Sequence, residues 1–245
     1  ERLTERDWVV AEISSFQMEK AELFRPHISA VLNITPDHLD RHKTMETYVS
    51  MKERVFAKQS AEDFCILNYS DPYCRKMAGK TKARVFFFSS QETLDEGIFL
   101  EGEDIRVRWN GVDECLLSVN DLQILGVHNY ENAMAAASSG ICAVQPLHTI
   151  REIKRNYPGV EHKIHYVATV DGVDYYNDSK GTNTDASARA VLAMKKPIVL
   201  IGGGYDKKVS FDDWTKLFPE RVKHLVLIGA TAPQIRASAE KFGFA

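Results

Sequence analysis

Val173-Asp174-Tyr175-Tyr176-Asn177-Asp178-Ser179-Lys180-Gly181-Thr182-Asn183 decides the architecture. Its start is rich in the β-branched and aromatic residues that strands favour. Seven polar or glycine positions follow, and from Thr184 to Met194 the chain becomes alanine-rich with helical spacing. Strand, polar loop and helix in that order are the unit of a parallel sheet covered by helices. Outward from this stretch the alternation recurs. Apolar runs at 8–13, 28–33, 63–68, 84–88, 163–169, 197–201 and 223–228 predict strands. Helical spacing occurs around 45–58, 129–143, 182–194, 211–218 and 231–241. One region differs: Phe99, Ile105, Val107, Trp109, Val112 and Leu116 alternate with polar residues around Asn110-Gly111, which predicts an antiparallel hairpin element within 98–125. A short helix (147–155) followed by Asn156-Tyr157-Pro158-Gly159 marks a boundary. The expectation is an α/β chain of two domains, 1–158 and 159–245, the second supplying about four strands.

Composition removes several classes. A net charge of −3 argues against a general nucleic-acid or polybasic membrane binder. Hydrophobic residues make up 44% and charged residues 27%, which excludes disorder as the main state. Apolar runs are only a few residues long, as in Ile198-Val199-Leu200-Ile201, so no membrane insertion is expected. Cys65, Cys74, Cys115 and Cys142 lack metal or disulfide-scaffold spacing and read as free thiols in a reducing compartment. The chain opens on Glu1, reaches an apolar run almost at once and closes just after a helical pattern. Both ends read as cuts through a longer protein.

Phosphate-loop signals are weak. Gly79-Lys80-Thr81 has Cys74 where the first glycine should stand, and it leads into a strand, whereas a phosphate cradle needs backbone N–H groups converging at a helix start. Gly202-Gly203-Gly204 follows a strand but has Lys207 at the third glycine position of a dinucleotide fingerprint. These glycines still let a ligand approach, and Lys207 could pair with an anion. In the segment 177–183, Lys180 supplies charge and Asp178 an acceptor beside a helix start that favours anions. Capping would need only one of these polar residues. Asp37, His38 and Asp40 in Thr35-Pro36-Asp37-His38-Leu39-Asp40-Arg41-His42 could hold a metal or an anionic substrate, or form a capped turn. Glu12 ends an apolar run, where ligands of open α/β sheets bind and where a carboxylate can reach Mg²⁺.

Taken together, these motifs resemble the Mur ligases, in particular their D-glutamate-adding branch. The pieces run in family order: Glu12-Ile13-Ser14-Ser15-Phe16-Gln17, Asn33 to Asp40, Tyr48 to Lys52, Gly126-Val127-His128-Asn129-Tyr130-Glu131-Asn132-Ala133, Gly159 to Lys163, Asn177 to Asn183, and Gly203 to Lys207. The resemblance implies a central ATP-binding domain followed by part of a Rossmann-like domain. The N-terminal domain, the phosphate loop and the C-terminal end of the family are missing from it.

The implied activity is ATP-dependent amide bond formation, joining D-glutamate to UDP-N-acetylmuramoyl-L-alanine through an acyl phosphate, in cytoplasmic peptidoglycan precursor synthesis. This piece alone is expected to be inactive. The implied cofactors are ATP and two Mg²⁺ ions. Glu12, His38 and Lys52 are the implied catalytic and metal-binding residues, Lys52 as a carbamate, because Mg²⁺ prefers hard oxygen donors and an ammonium would repel it. Asn129, Asn132, Lys163, Asp178 and Lys180 would hold the nucleotide. Ser14 and Ser15 would meet the uridine-linked acceptor, and Thr182 and Lys207 the incoming D-glutamate. Lys163 stands where the family usually carries Arg, which gives up the planar two-pronged grip on phosphate. Two alternatives remain open: another amide ligase of the superfamily, including one that adds glutamate to folate, or a non-catalytic nucleotide-binding module. Keeping Glu12, His38, Lys52, Asp178 and Lys180 together argues against the second, because unused charged clusters are costly.

Overall fold

A computed structural model describes residues 3–4, 7–36, 38–207 and 209–244, with Asp40 described by its backbone alone. In chain order the elements are α1 (Ser15–Met18), β1 (Ile28–Val31), α2 (Leu39–His42), α3 (Met45–Glu53), β2 (Phe64–Asn68), α4 (Pro72–Met77), β3 (Arg84–Ser89), β4 (Gly97–Glu101), β5 (Asp104–Trp109) and β6 (Val112–Ser118). There follow α5 (Val127–Cys142), α6 (Leu147–Asn156), β7 (His165–Val170), β8 (Val173–Asn177), α7 (Thr184–Ala193), β9 (Ile198–Gly203), α8 (Asp212–Thr215), α9 (Phe218–Arg221), β10 (Val222–Ile228) and α10 (Ala232–Lys241). The chain divides into two compact units, Glu1–Leu116 with Met134–Ile150, and Leu117–Ala133 with Arg151–Ala245. The expected boundary at Pro158 lies within the second.

The first unit is built on a six-stranded sheet in the order β1-β2-β3-β4-β5-β6. β1 to β4 pair in parallel, and β5 runs antiparallel to β4. Cys65, Ile66, Leu67, Phe86 and Phe88 are all fully buried. Successive strand residues point to opposite faces, so both faces of β2 are covered, as parallel sheets require. On one face Val31, Cys65 and Leu67 pack with Tyr48 and Val49 of α3 and Cys74 and Met77 of α4. The β5–β6 turn falls on Asn110-Gly111, with φ of +49° and +81°, as the sequence predicts. At the end where the parallel strands start, Asp63 receives Arg25, His27 and the Ser60 amide, which ties the starts of β1 and β2 together.

The second unit holds a parallel pair, β9–β10, and an antiparallel pair, β7–β8. Val191, Trp214, Phe218, Val222, Ile235 and Ala239 form its core under the inward residues of β9 and β10. The opposite face of that pair, with Val199, Ile201, Val226 and Ile228, is exposed.

Three expectations are corrected. The run 8–13 forms no strand and pairs with no described strand, and Trp8, Val9 and Val10 are exposed. An apolar run becomes a strand only when a neighbour takes up its backbone groups. The helix expected at 211–218 is two short helices, because Pro219 sits in the first turn of a new helix, where a missing N–H costs nothing. β7 and β8 form a hairpin across Asp171-Gly172, with φ of +50° and +78°. That dipeptide is a strong hairpin signal whose pairing the helix–strand alternation obscured. Among the described residues no helix is long and apolar enough to cross a membrane. Among the described residues Cys65, Cys74, Cys115 and Cys142 form no disulfide, and burial pushes the Cys65 thiol up to about 11 and the Cys142 thiol up to about 12.

Candidate functional site

In the first unit, Glu12, Ser14, Ser15, His38, Tyr48 and Lys52 line one cavity of about 370 Å³. Three separate stretches supply them. The first is the entry to α1, where a capping box fixes the backbone: the Gln17 amide donates to Ser14 Oγ at 3.3 Å, and the Ser14 amide donates to Gln17 Oε1 at 2.8 Å. Ser14, expected at the acceptor, therefore also builds the wall. Glu12 is exposed beside it and has no ion pair among the described residues. The second stretch begins at His38, the residue before α2, whose φ of +51° places it in the left-handed region. A non-glycine residue held there is the kind of local strain that gathers at functional sites. Asp37 and the side chain of Asp40 lie outside what is described. The third stretch is α3, capped by Thr44, which accepts from the Thr47 amide at 3.2 Å. Tyr48 and Lys52, one turn apart, share a face, and the Lys52 ammonium lies 5.6 Å from the Tyr48 ring centre.

Two residues given no role from the sequence, Phe16 and His42, join these stretches. Ser15 and His42 are both buried, with Oγ and Nε2 at 2.9 Å. A buried hydrogen bond of this kind contributes about 1 kcal/mol net and costs more when one partner is removed. Phe16 lies between two imidazoles, its centre 4.8 Å from that of His38 and 5.4 Å from that of His42, the latter pair within 13° of parallel. His42 follows His38 by four residues, and that spacing was the available signal.

The donor set limits which metal arrangement fits. Among the described residues, no three His, Cys, Asp or Glu side chains gather closely enough to hold an ion. The Glu12 carboxylate on this wall suits a Mg²⁺ that takes its remaining ligands from water and phosphate, and the His38 imidazole would add a nitrogen donor. Lys52 as an ammonium does not fit as a ligand, and only its conversion to a carbamate would add an oxygen donor.

The second unit holds all five residues expected at the nucleotide. Asn129 is buried; its Nδ2 donates to the Leu125 carbonyl at 2.7 Å, and its Oδ1 accepts from Asn132 Nδ2 at 3.5 Å. Asn129 thus secures the entry to α5, and Asn132 is the more available amide. Asp178 Oδ1 accepts from the Ile164 amide at 2.9 Å. Partial burial raises the Asp178 carboxyl above the ordinary range, against the pull of that amide and of the Lys163 charge. A Cβ on Gly181 would run into Asp178 Oδ2, so a larger residue there would displace the Asp178 carboxylate. The Lys180 amide donates to the His162 carbonyl at 2.9 Å, and the side chains of Lys163 and Lys180 are exposed.

Thr182 and Lys207, both expected at D-glutamate, meet: Lys207 Nζ donates to the Thr182 carbonyl at 2.9 Å. Asn183 caps α7 by accepting from the Ala186 amide at 2.8 Å. The glycine run after β9 is partly a packing device. Gly203, at φ +127°, leaves no room for a Cβ against the Ile228 carbonyl, whereas one on Gly204 would meet nothing. His128 lies near Arg189, Lys163 and Asp185. Burial first, and then the two cations, push its pKa down to about 4, with Asp185 opposing. The rejected phosphate-loop lookalike sits between α4 and β3, its Lys80 paired with Glu53.

The Mur ligase middle domain profile matches residues 2–140. A UDP-N-acetylmuramoylalanine–D-glutamate ligase of Lachnoclostridium phytofermentans is 50% identical over 241 residues, covering 98% of this chain and 53% of that protein. Among solved structures, one of MurF from Acinetobacter baumannii gives a TM-score of 0.70 at 17% identity, covering 89% of this chain and 50% of that one. MurF ligase from Thermotoga maritima in complex with ADP gives 0.64 at 13% identity, covering 90% and 56%. At such identities these structures speak to the fold alone. The chain spans about half the length of the curated relatives it matches.

Proposed function

The chain belongs to the Mur ligase family, and we propose that, in a protein of its relatives' length, it serves the ATP-dependent joining of D-glutamate to UDP-N-acetylmuramoyl-L-alanine in the cytoplasm, a step toward peptidoglycan. The observation that carries this reading is the cavity on which Glu12, His38 and Lys52 meet. The 50% identity with a ligase of that name supports the choice of amino acid.

A carboxylate is a poor electrophile. Transfer of the γ-phosphoryl group of ATP to the alanine carboxylate makes an acyl phosphate. The D-glutamate amine then attacks the carbonyl carbon, phosphate departs with the bonding electrons, and the amine gives up a proton. Glu12 and His38 would hold Mg²⁺, joined by Lys52 as its carbamate. When bound, the metal neutralises charge on the phosphate and acyl oxygens. Ser14 and Ser15 would border the acceptor. Lys163 and Lys180 would face the phosphates, with Asp178 accepting from the ribose and Asn132, braced by Asn129, contacting the base side. Lys207 uses one N–H on Thr182, which leaves two for a carboxylate of D-glutamate.

The test is phosphate release by the full-length protein with ATP, Mg²⁺ and UDP-N-acetylmuramoyl-L-alanine, comparing D-glutamate with L-alanine, a diamino acid and a dipeptide. Release that depends on D-glutamate is expected. Equal or greater release with another amino acid would overturn the assignment.

A further inference from the structure

We infer that His42 is a positioning residue: it locks the Ser14–Glu19 wall of the cavity onto α2 and thereby holds His38 in place. Two walls meet here, and His42 makes the buried contacts between them, to Ser15 and to Phe16. Its Nε2 lies 2.9 Å from Ser15 Oγ, and both residues are almost fully buried, so neither polar group has water as a substitute partner. Its ring stacks on Phe16, which also packs against His38. A third ring, Tyr48, lies 5.5 Å from His42 on the α3 side, one turn from Lys52. Arg41 reinforces the joint from outside, 5.1 Å over Phe16 and bonded to both oxygens of Glu19.

His38 itself sits at φ +51°, a conformation a histidine keeps only when its surroundings over-determine it. The Phe16 ring is one of those surroundings, and His42 fixes that ring from behind. His42 is buried away from the reacting groups, so it acts through its neighbours.

Histidine-ring NMR of this 245-residue chain tests the clamp without requiring activity, with the His38 peak assigned from His38→Gln. In wild type the His38 peak carries the ring-current shift of Phe16. In His42→Ala it is expected to move more than any other remaining histidine peak. His42→Gln, whose amide can reach Ser15 in place of Nε2, should return it part of the way. Ser15→Ala, which removes only a hydroxyl, should move it in the same direction and serves if His42→Ala does not fold. An unmoved His38 peak in Ser15→Ala, or in a folded His42→Ala, would overturn the clamp.

A second arm rests on the proposed ligase reaction and uses the full-length protein. His42→Ala should lower kcat about tenfold to a hundredfold, the scale of a small misplacement, while the KM for ATP stays within about twofold. His42→Gln should recover part of kcat. An unchanged kcat in an active protein would also overturn the role. Absence of ligase activity in wild type would instead refute the proposed function and leave the NMR result to decide the clamp.

Discussion

The ammonium of Lys207 donates to the main-chain carbonyl of Thr182 at 2.9 Å, so the loop after β9 and the loop before α7 share one cation. The bond is exposed and contributes under about 1 kcal/mol to stability. Its consequence lies in where it leaves the charge.

If that charge faces D-glutamate, Lys207→Ala in the full-length protein should raise the KM for D-glutamate at least about tenfold, with a much smaller rise for ATP. Steady-state kinetics with each substrate varied in turn decide it. Equal rises in both would point to folding or domain closure.

Lys52 lies in the last turn of α3 among candidate metal ligands. In the full-length enzyme Lys52→Ala should abolish turnover, and bicarbonate or a short carboxylate should restore part of it by supplying the missing oxygen donor. In the 245-residue chain without ATP and Mg²⁺ the lysine should be unmodified, because a carbamate there lacks the metal that stabilises it. Labelled CO₂ and carbon NMR would report the carbamate, and full activity of the alanine variant would refute its need.

Asp63 is a structural centre remote from this chemistry. Burial works to raise its pKa, but the Ser60 amide, His27 and Arg25 outweigh burial and hold it well below the usual carboxylate range. Its contribution to stability is present above the unfolded pKa and lost as pH falls through the lower folded value. Asp63→Ala should destabilise the first unit by about 1–3 kcal/mol, because it strands a half-exposed arginine, a half-exposed histidine and the partly buried Ser60 amide. Urea unfolding at pH 7 measures it, and a change under about 0.5 kcal/mol would contradict this account.

His128 works in the same direction at milder pH. Its folded pKa of about 4 lies below the ordinary histidine value of 6.5, so the folded state resists a proton that the unfolded chain accepts. Stability should be fully present above pH 6.5, fall between there and pH 4, and lose nothing further from this group below that. With allowance for solvent screening the loss is on the order of 1–2 kcal/mol. His128→Gln should flatten that part of a melting-temperature profile. A slope as steep as that of wild type would show that other groups cause it.

The 245 residues contain no phosphate-cradling loop, and Gly79-Lys80-Thr81 leads into β3. Given ATP, Mg²⁺, acceptor and D-glutamate, this chain alone should release no phosphate above background. Acceptor-dependent release in a malachite green assay would mean that it closes a working site without that loop.

By itself the sequence determined what local periodicity can determine. β2, β3, β9, β10, α7 and α10 fall where apolar alternation or helical spacing puts them, because each is encoded by contiguous residues. Asn110-Gly111 likewise carries its own backbone conformation. The tertiary structure decided the rest. Residues 8–13 have the composition of a strand, but pairing depends on a neighbour that no local signal names. The buried bond between Ser15 and His42, the place of Phe16 between two imidazoles, and the contact of Lys207 with Thr182 join residues distant in sequence. Side-chain chemistry makes such contacts available, but only the path of the folded backbone brings the partners within hydrogen-bonding distance.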